Sequence, residues 1–248
     1  MDSKLSQLTF FSISNEGLGS CSFNEVKELV EIDSLVQKKD SICFDLSDKN
    51  FSKELYDELK NKKIKIDILI NNAGFGFSGL FLKSSIKNYE EMLNVNIYSL
   101  ISLTHLFLKD MAADKSGGII NISSLASFQP IPYFSMYAAS KAFVTSFTLG
   151  LHEEYRDLGI RILGVCPGYT KTNFNKRAQM DSVPVTGYLM TSQEVVDQSL
   201  KAYENDKLLI INGRINRFAK MLMSFLPTNI SLKLSKIVIK KGMNKKQW

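Results

Sequence analysis

The chain alternates between short apolar runs and longer amphipathic stretches. β-Branched and aromatic residues dominate the apolar runs, which predicts buried strands near 8–13, 41–46, 64–70, 119–122, 161–166 and 207–211. Apolar residues at helical spacing predict helices over 23–38, 50–61, 86–113, 133–158 and 191–205. Strands that alternate with helices in this way predict one α/β domain built on a doubly wound parallel sheet.

Polar residues lie at or just after the ends of four of the predicted strands. They are Asp45, the run Asn71-Asn72-Ala73-Gly74, Ser124, and the run from Pro167 to Thr172. Ligands of doubly wound sheets bind beyond the carboxyl ends of the strands. These separate strand ends therefore predict a single binding crevice.

The segment 121–142 carries the residues with the clearest chemistry. Tyr137 and Lys141 are one helical turn apart, so their side chains share a helix face. An ammonium beside a phenol favours the phenolate, which would lower the tyrosine pKa from about 10 and allow proton exchange near neutral pH. The hydroxyl of Ser124, at a strand end, is suited to holding a substrate oxygen. The same tyrosine and lysine also fit an ordinary half-exposed pair on a helix.

Composition narrows the classes of function. The chain has 248 residues, 44% of them hydrophobic, which suits one sizeable core. Cys21, Cys43 and Cys166 match no metal or disulfide spacing, so we expect no metal site and a reducing, cytoplasmic compartment. No uncharged apolar run is long enough to span a bilayer, and the first residues do not resemble a signal peptide.

Positive charge is concentrated at the C-terminal end. Residues 207–248 hold ten Lys/Arg and no Asp/Glu, whereas the remainder holds 21 basic and 25 acidic residues. Basic and aromatic residues do not interleave as they do in nucleic-acid-binding proteins, so no nucleic-acid partner is expected. After a domain of residues 1–212, the segment 213–248 is predicted to form two short amphipathic helices divided by Pro227. They fit a lid or dimer-packing pair with a solvated tail, or a peripheral contact with an anionic membrane.

Taken together, the motifs resemble the short-chain dehydrogenase/reductase family in its compact form. The resemblance covers roughly residues 41–226 and rests on the order of the motifs and on the interval from Ser124 to Tyr137. It implies a Rossmann-like fold, a homo-oligomer, and an NAD- or NADP-dependent oxidoreductase that interconverts a secondary alcohol and a carbonyl. Apolar residues near the expected pocket fit a small or lipid-like hydrophobic substrate, and they fit core packing equally well. These residues are Phe75, Phe77, Phe128, Ile131 and Phe134.

The resemblance also implies a role for each motif. Tyr137 would be the general acid or base, Lys141 would hold the nicotinamide ribose, and Ser124 would bind the substrate oxygen. Asn96 would interrupt the long helix and position a water for a proton relay; the alternative is a solvated or capping asparagine. The implied cofactor-binding residues are Gly17, Gly19, Asp45, Leu46, Asn72, Ala73, Gly74, Tyr137, Lys141, Pro167, Gly168, Thr170 and Thr172. The stretch 71–74 also fits a loop that only packs the sheet edge.

The N-terminal stretch departs from the family pattern. Ile13 stands where the first glycine of the phosphate-binding turn would fall, and a β-branched residue cannot readily adopt a positive φ. Between Gly19 and Asp45 there is room for one helix and one strand, so one strand–helix unit is expected to be missing. That strand would carry the residue that discriminates NAD from NADP. Two functions stay open: an active oxidoreductase, or a catalytically impaired family remnant that acts as a binding or scaffold protein, including one at a membrane surface.

Overall fold

One parallel β-sheet organises the chain. The computed structural model describes residues 10–13 (backbone only), 44–46, 48, 50–172, 174, 178 and 189–243. In these residues the strands are β1 (Phe10–Ile13), β2 (Ile68–Asn71), β3 (Gly117–Ile122), β4 (Ile160–Cys166) and β5 (Leu209–Ile211). They lie side by side in the order β1-β2-β3-β4-β5, and every neighbouring pair is parallel. The prediction of a doubly wound α/β fold is confirmed.

Seven α-helices connect and cover the described strands. They are α1 (Phe51–Asn61), α2 (Ile86–Leu93), α3 (Leu100–Asp114), α4 (Ser135–Tyr155), α5 (Ser192–Glu204), α6 (Arg214–Phe225) and α7 (Thr228–Gly242). A π-helix, Asn94–Ser99, joins α2 to α3. Residues of α1, α3 and α4 pack on one face of the sheet, and residues of α5 pack on the other. The period of two in a strand explains this, since Leu69 points to one core cluster while Ile68 and Ile70 point to the other.

Local sequence signals explain several helix ends. Thr191 caps α5 in a capping box with Glu194, as its Thr/Ser start suggested. The last turn after α4 ends at Gly159, which has a φ of 75° that favours glycine. The predicted division of the C-terminal segment at Pro227 is also found, between α6 and α7.

Two predicted strands differ from the structure. The prediction of a strand over 41–46 is wrong for its described part, because residues 44–46 are not in a strand and a turn closed between Asp45 and Asp48 leads into α1. The side chains of Phe44 and Leu46 pack in the core beside α1. Their apolar character therefore reflects burial, not strand formation. The strand predicted over 64–70 begins only at Ile68, since the backbone N–H of Ile64 is committed to closing the end of α1 through Leu59.

The predicted loss of one strand–helix unit concerns residues 14–43, which lie outside the described residues. Cys21 and Cys43 lie there too, while Cys166 is buried at the end of β4 with a free thiol. Within the part of the chain that the structure describes, no helix has both the length and the apolar character needed to cross a membrane.

Candidate active site

A buried ladder of polar side chains aligns the strand ends beneath the predicted crevice. The side-chain amide of Asn71 donates to the Oδ1 atom of Asn121 at 2.8 Å and to the Oγ1 atom of Thr104 at 3.1 Å. Asn121 in turn donates to the Oγ1 atom of Thr148 at 3.0 Å. Because the ends of β2 and β3 are tied to each other and to α3 and α4, the residues that follow these two strands are held in fixed relative positions.

Tyr137 lies in the first turn of α4 and reaches the end of β3. Its side chain is only 7% exposed and makes a hydrogen bond with the Ser124 hydroxyl. Burial raises the pKa of Tyr137 to about 12, and the hydrogen bond from Ser124 opposes this rise. Ser124 also accepts a hydrogen bond from the backbone N–H of Ala126 at 3.1 Å, which fixes its side chain. The phenol is therefore protonated at neutral pH and faces a second hydroxyl.

Lys141 follows Tyr137 by one turn and is almost completely buried. Its Nζ atom donates to the backbone carbonyl of Ile122 at 2.9 Å and lies 5.8 Å from the centroid of the Tyr137 ring. Burial lowers the pKa of Lys141 to about 8. The prediction that Lys141 lowers the Tyr137 pKa is wrong for this arrangement, because burial raises the pKa of the phenol and Ser124, not Lys141, is the group that lowers it. The alternative that Tyr137 and Lys141 are an ordinary half-exposed pair on a helix is excluded, since both side chains are buried.

Asn96 joins the π-helix to the loop after β2. Its Oδ1 atom accepts from the N–H of Phe75 at 3.0 Å, and its amide donates to the Phe75 carbonyl at 2.9 Å and to the Ser140 hydroxyl at 3.0 Å. The side chain is 1% exposed, so the alternative of a solvated asparagine is wrong. The interruption of the long predicted helix is real: the π-helix places this amide against both the loop and α4.

Gly74 lets the loop after β2 approach these groups closely. A Cβ atom at this position would lie 3.0 Å from Nζ of Lys141 and 3.2 Å from Oδ1 of Asn96. Asn72 and Ala73, just before it, are half-buried, and Ala73 packs against the core cluster of α1, α3 and α4. The stretch therefore does more than pack the sheet edge, because its glycine permits direct contact with the Lys141 ammonium.

The other predicted cofactor residues differ in their surroundings. Pro167 is tied to the Ser124 region, since its carbonyl accepts from the N–H of Leu125 at 2.8 Å. The hydroxyl of Thr170 donates to the carbonyl of Gly168 at 3.2 Å, and Thr172 is exposed. Asp45 is exposed and Leu46 is buried in the turn before α1. Gly17 and Gly19 lie outside the described residues.

The register of β1 corrects the interpretation of Ile13. This residue is the last one of β1 and pairs with Asn71. It is part of an extended strand, so the positive φ that a phosphate-binding turn requires does not fall on it.

An apolar cluster surrounds the phenol of Tyr137. Its ring centroid lies 4.5 Å from that of Phe134 and 5.2 Å from that of Phe174. Of the five apolar pocket residues expected from the sequence, all but Phe128 belong to this cluster. Ile239 and Met243, from α7 and the residue after it, complete it.

A buried Tyr–Lys pair, a serine on the phenol and a glycine loop at parallel strand ends form one constellation. A sequence profile described as short chain dehydrogenase matches residues 21–183 of this chain. The chain belongs to the short-chain dehydrogenase family.

Several known dehydrogenases and reductases resemble half or more of the chain. The type 3 17-beta-hydroxysteroid dehydrogenase of Mus musculus is 33% identical over 203 residues, which is 77% of this chain and 63% of the mouse protein. The very-long-chain 3-oxoacyl-CoA reductase of Anas platyrhynchos is 36% identical over 129 residues, 50% of this chain and 41% of that protein. Dehydrogenase/reductase SDR family member 7B of Xenopus tropicalis is 30% identical over 228 residues, 87% of this chain and 72% of that protein. The chain thus spans less than two thirds of the mouse and duck proteins that it matches.

Solved structures of short-chain dehydrogenases share the fold. One from Sphingobium yanoikuyae, in complex with NADPH, superposes with a TM-score of 0.63 at 28% identity and covers 73% of each chain. One from Streptomyces avermitilis reaches a TM-score of 0.72 at 18% identity over 90% of this chain and 94% of that chain, which shows the fold alone.

Sequence reasoning missed two residues that support the site. Ser140 accepts from Asn96 and donates to the Tyr137 carbonyl at 2.8 Å. Gly76 lies so close to the Tyr137 ring that a Cβ atom there would stand 2.8 Å from its Cδ2 atom. Ser140 carries a usable signal, since a serine three residues after Tyr137 on a helix can reach back to the backbone carbonyl. Gly76 carries no such signal in the sequence, because Tyr137, the residue that it approaches, is 61 positions away in the chain.

Proposed function

We propose that this chain is an NAD- or NADP-dependent oxidoreductase that interconverts a secondary alcohol and a carbonyl on a small or lipid-like hydrophobic substrate. The observation that carries the proposal is the meeting of Tyr137, Ser124 and Lys141 at one strand end, inside an apolar cluster. The names of the mouse and duck relatives, a hydroxysteroid dehydrogenase and a 3-oxoacyl-CoA reductase, favour the same class of substrate.

The protonation of Tyr137 favours carbonyl reduction at neutral pH. With its pKa raised to about 12, the phenol carries the proton that a reduced carbonyl oxygen needs. Ser124 hydrogen-bonds to the same phenol, so a substrate oxygen bound at this point would meet two hydroxyl groups. Such donors stabilise the negative charge that develops on the oxygen.

The residues beside Lys141 fit a nicotinamide nucleotide. Among the described residues, the Lys141 ammonium directs one of its three N–H donors to Ile122, which leaves donors for the two hydroxyls of a ribose. Gly74, which has no side chain, keeps the approach to that ammonium open. Asn72 and Ala73 would line the adenosine side, Asp45 and Leu46 the adenine, and Pro167, Gly168, Thr170 and Thr172 the nicotinamide side. The cofactor, when bound, supplies or accepts the hydride.

Asn96 acts in this proposal as a positioning residue. Its three hydrogen bonds hold the Phe75 backbone against Ser140, and hence the glycine loop against Lys141. The water relay through Lys141 that the resemblance implies stays a prediction.

Replacement of Tyr137 tests the catalytic assignment. Tyr137→Phe removes the proton donor but keeps the ring, so we expect turnover to fall by about a hundredfold or more while the Kd for NADH or NADPH stays within about twofold. Calorimetry gives the Kd, and absorbance at the reduced-nicotinamide band gives turnover on a steroid ketone and a 3-oxoacyl thioester. Tyr155→Phe, at the far end of the same helix, is the matched control and keeps full turnover. Retained turnover in Tyr137→Phe refutes the assigned role.

The second candidate is a family member that binds without turnover, acting as a scaffold. The short interval between Gly19 and Asp45 favours it, since this interval leaves little room for the strand that would hold the adenosine ribose. No binding of either nucleotide at millimolar concentration would establish it over the enzyme. We also propose that the chain works as a homo-oligomer in the cytoplasm, which light scattering and cell fractionation test.

A further inference from the structure

Helix α6 exposes the residues that a surface helix normally buries. Its inner side carries the half-buried Asn216, Ala219 and Met223. The stripe of large apolar side chains faces solvent instead, with Phe218 58% and Phe225 81% exposed. Its members are Ile215, Phe218, Leu222 and Phe225, spaced by three, four and three residues along one helix face. An exposed apolar stripe of this size marks an interaction surface.

A second exposed apolar group lies in the loop before α2 and at the first residue of that helix. Leu82 is 90% exposed and Phe81 is 52% exposed, and Leu80 and Ile86 are also largely exposed. The Phe81 ring stacks on Tyr89 with 5.0 Å between centroids, and Tyr89 belongs to the apolar cluster around Tyr137. This loop therefore leads from the protein surface towards the catalytic cluster.

The exposed groups border one loop, 128–133. Helix α6 reaches it through Lys220, whose Nζ atom lies 5.3 Å from the centroid of the Phe128 ring. Helix α7 reaches it through Ser231, which donates to Gln129 at 3.1 Å. The loop before α2 reaches it through Gly79, whose N–H donates to the Tyr133 carbonyl at 2.8 Å. Loop 128–133 runs into α4, where Tyr137 lies.

The charges on α6 and α7 have one sign, whereas α2 carries both Lys87 and Glu90. Arg214 and Arg217 flank the stripe on α6. On α7, exposed lysines such as Lys233 flank the exposed apolar residues Leu234 and Ile237. Residues 207–248 contain no Asp or Glu at all. On α6 and α7 the exposed apolar side chains are flanked by cations alone, and such a pair of helices complements a surface that combines anionic groups with hydrocarbon.

We propose that α6, α7 and the loop Leu80–Ile86 form a docking face for an anionic lipid bilayer. The apolar stripe enters the headgroup region, and the arginines and lysines pair with lipid phosphates and carboxylates. Ile239 and Met243 are buried and belong to the same apolar cluster as Tyr137, whereas Leu234 and Ile237 of α7 are exposed. Docking of the exposed side of α7 therefore brings the cluster around Tyr137 close to the membrane. Binding to lipid is independent of the proposed turnover, and each is measured without the other.

Vesicle flotation with the full-length chain tests the docking face. Vesicles of phosphatidylcholine with about 30 mol% phosphatidylserine, an anionic content that gives a strong surface potential, are compared with pure phosphatidylcholine. The wild type is expected to float with the anionic vesicles only, and to be released by salt as the surface charge is screened. Equal binding to both vesicles, or no binding to either, overturns the proposal.

Two pairs of variants separate the apolar and the charged contributions. The double variant Phe218→Ser/Leu222→Ser is expected to lose at least about tenfold in partition to anionic vesicles. Arg214→Gln/Arg217→Gln is expected to lose about fivefold per charge removed. The matched controls are Leu158→Ser and Lys53→Gln/Lys109→Gln, which alter exposed residues away from the face and keep wild-type partition.

Light scattering and circular dichroism complete the test. All the substituted side chains are exposed, so the variants are expected to keep the helical signal and melting temperature of the wild type. If the α6 variants instead lower the molecular mass in solution without altering partition to vesicles, a second copy of the chain occupies the face and the proposal fails.

Discussion

At the scale of single residues, burial decides the protonation of the candidate catalytic pair. Tyr137 and Lys141 are both removed from water, and each is driven towards its neutral form. From the sequence alone, the lysine was expected to favour the phenolate. That expectation used only the spacing of the pair, whereas the pKa values depend on how much protein covers both groups.

The buried lysine predicts a pH dependence of stability. Its pKa is lowered from 10.5 to about 8, so between these values the unfolded chain binds more protons at residue 141 than the folded chain does. The free energy of unfolding is therefore expected to rise with pH across this window, by about 3 kcal/mol in total. Tyr137, whose pKa is raised, opposes this only above about pH 10.

Lys141→Met removes the titrating group, so its stability should not rise between about pH 8 and pH 10. At pH 7 the variant should be about 2 kcal/mol more stable than the wild type, since relief of the buried charge exceeds the lost hydrogen bond to Ile122. Urea unfolding at a series of pH values from neutral to alkaline measures both effects. Lys109→Met, on an exposed site of α3, keeps the wild-type profile. If the free energy of unfolding of Lys141→Met rises with pH as it does in the wild type, Lys141 is not the group responsible for the rise.

At the scale of elements, the π-helix between α2 and α3 is the device that positions the loop after β2. The sequence shows a continuous helical pattern over 86–113, and Asn96 is a polar residue within it. The wider π-turn lets Asn96 reach both Phe75 and Ser140, which are distant in the chain. Sequence periodicity cannot reveal such a turn, because one extra residue in a helix changes the pattern very little.

Asn96 and Ser140 offer a graded test of this element. Asn96→Ala strands three buried polar partners and is expected to lower the free energy of unfolding by about 2–4 kcal/mol. Ser140→Ala removes only one of these hydrogen bonds and is expected to cost about 1 kcal/mol. Urea unfolding gives both free energies of unfolding. Equal losses of stability in the two variants rule out the conclusion that Asn96 stabilises the fold through three hydrogen bonds. Asn88→Ala, at a half-buried position of α2, controls for helix propensity.

At the scale of the whole molecule, α7 joins the C-terminal segment to the catalytic cluster. Its inner side chains Ser231, Ser235 and Ile239 are buried, whereas Leu234 and Ile237 are exposed. Ile239 and Met243 contact the same cluster as Tyr137, so the proposed boundary after residue 212 separates two parts that share a core.

Ile239→Ala tests how firmly α7 packs against the apolar cluster around Tyr137. Truncation of a buried isoleucine usually costs at least about 2 kcal/mol, so opening of α7 should become at least about tenfold more frequent. Limited trypsin digestion, read by mass spectrometry at Lys233 and Lys236, should speed up by the same factor. Ile237→Ala, which is two residues away and 54% exposed, should leave the rate unchanged. Equal digestion rates for Ile239→Ala and Ile237→Ala would falsify the packing of α7 against the cluster around Tyr137.

The sequence alone determined the order of β2 to β5 and of the helices between them, the ends of β2, β3 and β4 as the place of the site, and the Ser124–Tyr137–Lys141 set. These follow from periodicity and spacing, which are local properties of the chain. Only the tertiary structure decided that Tyr137 stays protonated, that Asn96 is a buried clamp, that Ile13 ends a strand, and that α6 turns its apolar stripe outward. Each depends on which distant segments cover a side chain, and burial and hydrogen bonding to such segments leave no periodic trace in the sequence.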